Sequence, residues 1–224
     1  LMNAATLPDI EKARFNMVEQ QIRPWEVLDQ SVLDLLYVVR REEFVPEAYK
    51  SLAFSDLEIP IGEGERMLQP KVEARILQEV APKRTDRVLE VGTGSGYLTA
   101  LLAHRAQHVY SVEISPTLLA FGEANLRRAG VDNVTLEQGD GARGWSKHAP
   151  YDVIVLGGST PVLADELLAQ LKVGGRLFAI VGEEPVMQAQ LITCTGPGSY
   201  NTIGLFETCV APLKNAPQPA RFEF

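Results

Sequence analysis

The sequence predicts an α/β fold: a doubly wound, mostly parallel seven-stranded sheet with a C-terminal antiparallel hairpin and an N-terminal helical extension. Three observations lead to this fold class. Strand and helix patterns alternate over residues 87–182, a glycine-rich turn joins the first strand to the first helix, and two β-rich runs follow without a helix between them. Such alternation is typical of parallel sheets that carry helices on both faces.

Residues 1–81 predict the helical extension and a loop that leads into the sheet. The predicted elements are a loose start over 1–8, helices over 9–23 and 29–39, a turn and short helix over 42–49, an irregular loop over 51–69 and a helix over 70–80. Asp9 suits the N-cap of the first helix, and Pro70 suits the first position of the last one. A long loop just before a ligand-binding domain is often functional.

Residues 82–214 predict the sheet domain, and 215–224 a tail. The predicted strands are 87–91, 108–114, 134–139, 151–157 and 175–182, and the predicted helices are 96–106, 116–129 and 162–171. Gly174-Gly175 is interpreted as the turn into the fifth strand. The runs 189–195 and 202–210 flank a Gly-Pro-Gly turn and predict the closing hairpin.

Composition excludes several classes of function. The net charge is −8 and no block of basic residues occurs, which argues against a nucleic-acid or anionic membrane partner. No apolar run reaches the ~18 residues that a membrane span requires, and no signal-peptide pattern opens the chain. Cys194 and Cys209 make neither a disulfide framework nor a metal site. We expect a cytoplasmic protein without a metal, as a monomer or a homodimer.

The first strand ends in the glycines Gly92, Gly94 and Gly96, spaced G-x-G-x-G. Glycine permits positive φ and lets a ligand lie against bare backbone, and the following helix offers unpaired N–H groups. A dinucleotide fingerprint would require glycine or alanine where Tyr97 or Thr99 stands. The spacing therefore disfavours a nicotinamide cofactor. A tight turn without any ligand remains the alternative for this motif alone.

Two acidic residues follow at the ends of later strands. Glu113 ends the second strand, 17 residues after Gly96, close to the roughly 20-residue spacing of a carboxylate that binds ribose hydroxyls. Asp140 stands between Gly139 and Gly141 after the third strand, where it could accept from an adenine amino group. Asp-Gly is also a common turn. The strand ends meet at one edge of an open sheet, which is where ligands bind.

Several segments together carry a resemblance to one family. They are FNMVEQQIRPWEVLDQSVLDLLYVVRREEFVP, SDLEIPIGEG, VLEVGTGSGYLTALLA, EQGDGARGW, APYDVIV, LKVGGRLFAIVG and FETCVAPL. Over about residues 9–214 the chain resembles the protein-L-isoaspartate O-methyltransferases, which have a Rossmann-like domain. The resemblance implies methyl transfer from S-adenosylmethionine (AdoMet) to the free α-carboxylate of isoaspartyl residues. The implied partner is an isoaspartyl protein or peptide, or a small-molecule carboxylate.

The resemblance also implies a set of cofactor-binding residues. The family's AdoMet-binding residues correspond to Glu90, Gly92, Gly94, Ser95, Gly96, Glu113, Asp140 and Gly141. The adjacent residues Val91, Thr93, Tyr97, Leu98, Ile114 and Gly139 complete the predicted site.

The acceptor loop departs from the family pattern, which reads threonine, apolar, serine, any residue, proline, histidine. This chain has Arg66-Met67-Leu68-Gln69-Pro70-Lys71, so the serine that contacts the substrate carboxylate corresponds to Leu68, which has no donor. Leu68 and Gln69 are the predicted catalytic positions, and Gln69, Lys71 or Arg66 could replace the serine. The resemblance leaves open a methyltransferase for another acceptor, or a non-catalytic protein that binds AdoMet or S-adenosylhomocysteine.

A carboxylate acceptor suits the absence of an evident catalytic base in the sequence. With a pKa of ~4 it is ionised at neutral pH and needs no proton removed, whereas an amine or hydroxyl acceptor would need a base. No Ser/His/Asp set or close carboxylate pair stands out. His104, His108 and His148 are interpreted as surface residues.

Overall fold

The structure is a computed structural model that describes residues 7–222, so the first six and last two residues of the predicted loose start and tail lie outside it. The N-terminal part is helical. Its helices are α1 (Leu7–Met17), α2 (Gln30–Val38) and α3 (Pro70–Val80), with a π-helical stretch at Val18–Ile22 and 3-10 turns at Arg23–Trp25, Arg41–Glu43 and Glu47–Leu52. Every helix within residues 7–222 is too short or too polar to cross a bilayer.

The helix starts show where local sequence decides structure. The Asp29 side chain accepts a hydrogen bond from the Ser31 N–H at 2.9 Å and caps α2, the helix predicted over 29–39. Pro70 opens α3, where its missing N–H costs nothing. The prediction that Asp9 caps the first helix is wrong, because α1 already begins at Leu7 and Asp9 lies in its first turn.

The predicted irregular loop over 51–69 contains a small hairpin, so that prediction is wrong for its second half. β1 (Ile59–Gly62) and β2 (Glu65–Met67) pair antiparallel, with Ile59 opposite Met67 and both side chains buried. Gly62 and Gly64 have φ of +99° and +74° and form the tight turn. Strands this short show too little alternation to be recognised in sequence.

The remaining elements build the predicted seven-stranded sheet. Its strands are β3 (Arg87–Val91), β4 (His108–Glu113), β5 (Val134–Gln138), β6 (Tyr151–Thr160), β7 (Leu171–Glu183), β8 (Val186–Gly196) and β9 (Ser199–Thr208); the helices are α4 (Tyr97–Ala103), α5 (Pro116–Arg128) and α6 (Asp165–Leu168). The strand order is β5-β4-β3-β6-β7-β8-β9. Strands β3 to β7 pair in parallel, whereas β7-β8 and β8-β9 pair antiparallel. The predicted fold class is confirmed.

The bounds of several predicted elements differ from the structure, most clearly between β6 and β7. The helix expected over 162–171 is reduced to the four residues of α6, and β7 begins at Leu171 rather than at 175. The register between β6 and β7 shifts after the Tyr151–Leu171 pair, and Gly174, with φ of +83°, lies in that irregularity. The glycine pair thus forms a bulge inside the strand instead of a turn before it.

β3 lies at the centre of the sheet and is covered on both faces. Val88 packs into a core shared with α3, α4 and the N-terminal helices, and Leu89 packs into the opposite core, which contains Leu167 of α6. Both side chains are fully buried, as expected for a central parallel strand. This packing fixes the carboxyl end of β3, where the glycine loop begins.

Candidate active site

A cavity of about 340 Å³ lies where β3, β4, β5 and β6 end. Each of these strands contributes to its wall: Gly92 follows β3, Ile114 follows β4, Asp140 follows β5, and Gly157 lies near the end of β6. This is the edge at which open α/β sheets bind ligands. The volume lies within the roughly 300–1,000 Å³ of small-molecule sites.

The glycine loop forms one wall with bare backbone. Gly92, Gly94 and Gly96 have φ of +98°, +53° and +85°, so all three need the freedom of glycine. The Gly96 N–H donates to the Thr93 carbonyl at 2.9 Å and holds the loop closed. Helix α5 packs beneath it at Gly122, where an added Cβ would lie 2.9 Å from the Gly94 carbonyl oxygen. The loop is therefore held between α5 and the cavity.

Glu113 directs its carboxylate at this loop. Oε1 accepts from the Gly94 N–H at 2.9 Å, and Oε2 accepts from the Ser115 N–H at 2.9 Å. The residue is buried, yet it lines the cavity. Each carboxylate oxygen has a further lone pair, so two hydroxyl donors of a ligand could be accommodated.

Asp140 joins the end of β5 to the C-terminal segment. Its Oδ1 accepts from the Ala142 N–H at 3.0 Å, and its Oδ2 accepts from Asn215 Nδ2 at 2.9 Å. The neighbouring Gly141 lies against β3, where a Cβ would come within 2.9 Å of Val91 Cγ1. Glycine at position 141 therefore lets the loop that follows β5 lie close to Val91 at the end of β3.

Glu90 lies outside the cavity lining and has a different environment. Its side chain is 1% exposed; Ser111 donates to Oε1 at 2.7 Å, and Thr99 donates to the same oxygen. Burial raises the pKa of this carboxyl to about 8, against the lowering effect of the two hydroxyl donors. Glu90 thus links β3, β4 and α4 beneath the glycine loop.

The β1-β2 hairpin and the residues that follow it form a further wall of the cavity, which we name the acceptor wall. Arg66 and Leu68 both line the cavity, the first exposed and the second 9% exposed. The buried guanidinium of Arg41 donates to the Leu68 carbonyl oxygen at 2.9 Å and to Glu73 Oε1 at 2.5 Å. It also lies 4.8 Å from the centre of the Tyr97 ring. Arg41 therefore fixes the Leu68 backbone relative to α3 and to the start of α4.

Comparisons with known proteins assign this architecture to a family. The family model described as protein-L-isoaspartate(D-aspartate) O-methyltransferase matches residues 12–213. The chain belongs to the protein-L-isoaspartate O-methyltransferase family. It is 39% identical to a protein-L-isoaspartate O-methyltransferase of Methanoculleus marisnigri over 90% of this chain and 91% of the relative. A second relative, from Pelobacter propionicus and described as protein-L-isoaspartate O-methyltransferase 2, is 38% identical over 96% of both chains.

Solved structures share this fold. A protein-L-isoaspartate O-methyltransferase superimposes with a TM-score of 0.76 at 26% identity, over 91% of this chain and 65% of its own. A Plasmodium falciparum protein, described as a putative enzyme of the same kind in complex with S-adenosyl-L-homocysteine, superimposes with a TM-score of 0.75 at 21% identity. The match covers 91% of this chain and 97% of that protein. The protein is thus an AdoMet-dependent O-methyltransferase of this family, as the sequence resemblance implies.

Of the residues predicted for the methyltransferase site, the structure brings nine into the cavity lining. They are Leu68, Val91, Gly92, Gly94, Glu113, Ile114, Gly139, Asp140 and Gly141. The other seven lie outside it: Gln69, Glu90, Thr93, Ser95, Gly96, Tyr97 and Leu98. Most of this second group shape or support the glycine loop, and Tyr97 and Leu98 are buried at the start of α4.

The C-terminal segment of this methyltransferase was not predicted from local sequence to reach the site. The Leu213 N–H donates to the Ser159 carbonyl at 2.8 Å, and Pro212 forms a parallel bridge with Ser159. Leu213 and Lys214 line the cavity, and Lys214 Nζ lies 3.8 Å from Glu65 in the hairpin. These contacts join residues far apart in the chain, so local patterns do not reveal them. In the sequence, only the family segment FETCVAPL indicated that this region matters.

Proposed function

We propose that this protein methyl-esterifies the free α-carboxylate of isoaspartyl residues in proteins and peptides, and that the cavity is the place where cofactor and acceptor meet. The observation that carries the proposal is the Glu113 carboxylate, held by two backbone N–H groups beside the glycine loop, in a cavity that the hairpin residues Arg66 and Leu68 also line. A nucleoside with a ribose diol suits one side of this cavity, and a carboxylate acceptor suits the other.

The residues of the cavity fit AdoMet. Gly92 and Gly94 line the cavity with positive φ, and Gly141, which lacks a Cβ, lies close to Val91, so this wall presents backbone to a ligand. Glu113 would accept from the ribose hydroxyls, and Asp140 would accept from the adenine amino group. When bound, AdoMet supplies a methyl group already activated on a sulfonium sulfur.

The chain's own task is to position the acceptor. An in-line transfer requires the acceptor oxygen to be held about 3 Å from the methyl carbon. Arg41 holds the backbone of Leu68 at the acceptor wall, and the C-terminal residues Leu213 and Lys214 line the same cavity. A carboxylate is ionised at neutral pH, so no proton has to be removed.

The histidines support an acceptor that needs no base. The lining contains none of His104, His108 and His148. His108 Nε2 pairs with Thr135 Oγ1, and His148 stacks on Tyr110 at a centroid distance of 4.1 Å. His108 is the first residue of β4, whereas the cavity lies at the other end of that strand, at Glu113 and Ile114.

The proposed function is tested by methyl transfer from labelled AdoMet to a peptide with one isoaspartyl residue. We expect base-labile label in this peptide and none above background in the same peptide with ordinary aspartate. Tight binding of S-adenosylhomocysteine without labelling of either peptide would reject the acceptor while leaving the cofactor assignment intact. Base-stable label would indicate transfer to an atom other than a carboxylate oxygen.

A further inference from the structure

The acceptor wall lacks the serine hydroxyl of the family pattern, and the structure distinguishes the side chains that could replace it. Leu68 occupies that position in the lining. Gln69 and Lys71 lie outside the lining, whereas Arg66 is part of it. Lys71 Nζ lies 3.4 Å from Asp56 and 5.0 Å from the centre of the Trp25 ring, so its charge is already engaged elsewhere.

We propose that Arg66 is the specificity-determining residue that binds the acceptor carboxylate in place of the missing hydroxyl. This inference rests on the proposed function, since it names the group that recognises the isoaspartyl carboxylate. A guanidinium presents two parallel N–H donors that match the two oxygens of a carboxylate. A single hydroxyl at position 68 would offer one donor only.

The charges around the cavity support Arg66. The lining contains two cations, Arg66 and Lys214. Lys214 lies 3.8 Å from the Glu65 carboxylate and is about half exposed. The guanidinium of Arg66, by contrast, makes no side-chain hydrogen bond or ion pair with any residue in the described range 7–222, although its backbone pairs within the hairpin. It is the lining cation whose donors are available to an incoming anion.

Two features of the hairpin keep Arg66 in place. It pairs with Pro60 across the β1-β2 hairpin, and its neighbour Met67 is buried in the core, so alternation along the strand turns Arg66 away from the core. Glu58 also lines the cavity; burial raises the pKa of its carboxyl, and the nearby charge of Arg66 acts in the opposite direction.

The test compares Arg66→Gln with Lys71→Gln, which removes the same charge from the first turn of α3, outside the cavity lining. In Arg66→Gln we expect the KM for the isoaspartyl peptide to rise about tenfold, as for an exposed charged hydrogen-bond pair. The KM for AdoMet should stay within about twofold, because a variant that only disturbs folding would affect both substrates. The KM of Arg66→Lys for the isoaspartyl peptide should lie between those of wild type and Arg66→Gln. The KM of Lys71→Gln for this peptide should equal that of wild type.

A binding measurement separates this proposal from the proposed function. Fluorescence anisotropy of a labelled isoaspartyl peptide, with S-adenosylhomocysteine at saturation, requires no turnover. Weaker peptide binding in Arg66→Gln but not in Lys71→Gln supports Arg66, even if the wild type forms no ester and the proposed reaction fails. Equal affinity in wild type and Arg66→Gln, or no peptide binding by the wild type, overturns the role of Arg66.

Adding the hydroxyl back provides an independent check. In the double variant Arg66→Gln/Leu68→Ser, the serine restores one donor at the family's position, so we expect peptide affinity to recover part of the loss. An equal effect of Leu68→Ser in the presence and absence of Arg66 would show that the two positions bind different parts of the substrate, which contradicts the proposal.

Discussion

The Gly94 N–H and the Glu113 carboxylate are joined by a 2.9 Å hydrogen bond between the glycine loop and the end of β4. The bond connects two motifs that lie 19 residues apart in the chain. It orients the carboxylate toward the cavity and fixes the loop at the same time. The cofactor half of the site is therefore one unit rather than two separate motifs.

Replacing this carboxylate should weaken cofactor binding. In Glu113→Gln one amide N–H₂ would face a backbone N–H, and the acceptors for the ribose hydroxyls would be reduced. We expect the Kd for S-adenosylhomocysteine to rise about 10- to 100-fold, the equivalent of one charged hydrogen bond. Isothermal titration calorimetry measures the change. Glu137→Gln is the matched control, because Glu137 bonds to Lys147 and His148 outside the lining.

Gly96→Ala should disturb the glycine loop both through its unfavourable positive φ and through a steric contact of the new Cβ. Both Gly96 and Gly130 have positive φ, +85° and +72°, so alanine at either costs about 1–2 kcal/mol. At Gly96 the new Cβ would also lie 3.0 Å from Leu126 Cγ, whereas at Gly130 nothing lies within 4 Å. We expect Gly130→Ala to bind S-adenosylhomocysteine like wild type and Gly96→Ala to bind it more weakly. Equal binding by the two folded variants would contradict a role for loop shape.

The buried Glu90 predicts a pH dependence of stability. Its pKa is raised to about 8, so between pH 4.5 and 8 the folded chain binds a proton that the unfolded chain releases. Stability from this group is therefore full below pH 4.5 and is lost as the pH rises through 8, by at most about 1.4 kcal/mol per pH unit. In Glu90→Gln that slope should disappear. Urea unfolding at pH 5, 6, 7 and 8 measures it.

The exposed Glu123→Gln serves as the control for this pH series, since Glu123 is about half exposed and pairs with Arg127 on the surface. Its unfolding free energies should follow those of wild type across the range. A Glu90→Gln series that runs parallel to wild type would show that Glu90 titrates as an ordinary carboxyl group.

Removing Arg41 alone should destabilise the protein more than removing both Arg41 and its buried partner Glu73. Arg41→Met leaves the buried Glu73 without its partner and should cost about 3–5 kcal/mol of unfolding free energy. Arg41→Met/Glu73→Leu removes both charges and leaves mainly the Leu68 carbonyl unsatisfied, so the loss should fall to about 1–3 kcal/mol. The exposed pair partner Arg127→Met should cost less than about 1 kcal/mol. A double variant no more stable than Arg41→Met would contradict this account.

The features that sequence predicted are those set by local patterns. The Gly92–Gly96 loop follows directly from glycine chemistry, and Glu113 follows from its place at the end of an apolar strand. The contacts of Gly122 with the loop and of Leu213 with Ser159 were not predictable, since each joins elements whose proximity only the fold creates. Which of Gln69, Lys71 and Arg66 faces the cavity also depends on the fold, so the sequence alone did not distinguish them as replacements for the serine.

The most direct measurement of the site assignment is a crystal structure with S-adenosylhomocysteine. The account predicts the ligand in the cavity at the ends of β3, β4, β5 and β6, with both ribose hydroxyls within about 3.2 Å of the Glu113 carboxylate oxygens. Its sulfur should face the wall formed by Arg66 and Leu68. A ligand bound at another place, or a Glu113 carboxylate that contacts no ligand atom, would contradict it.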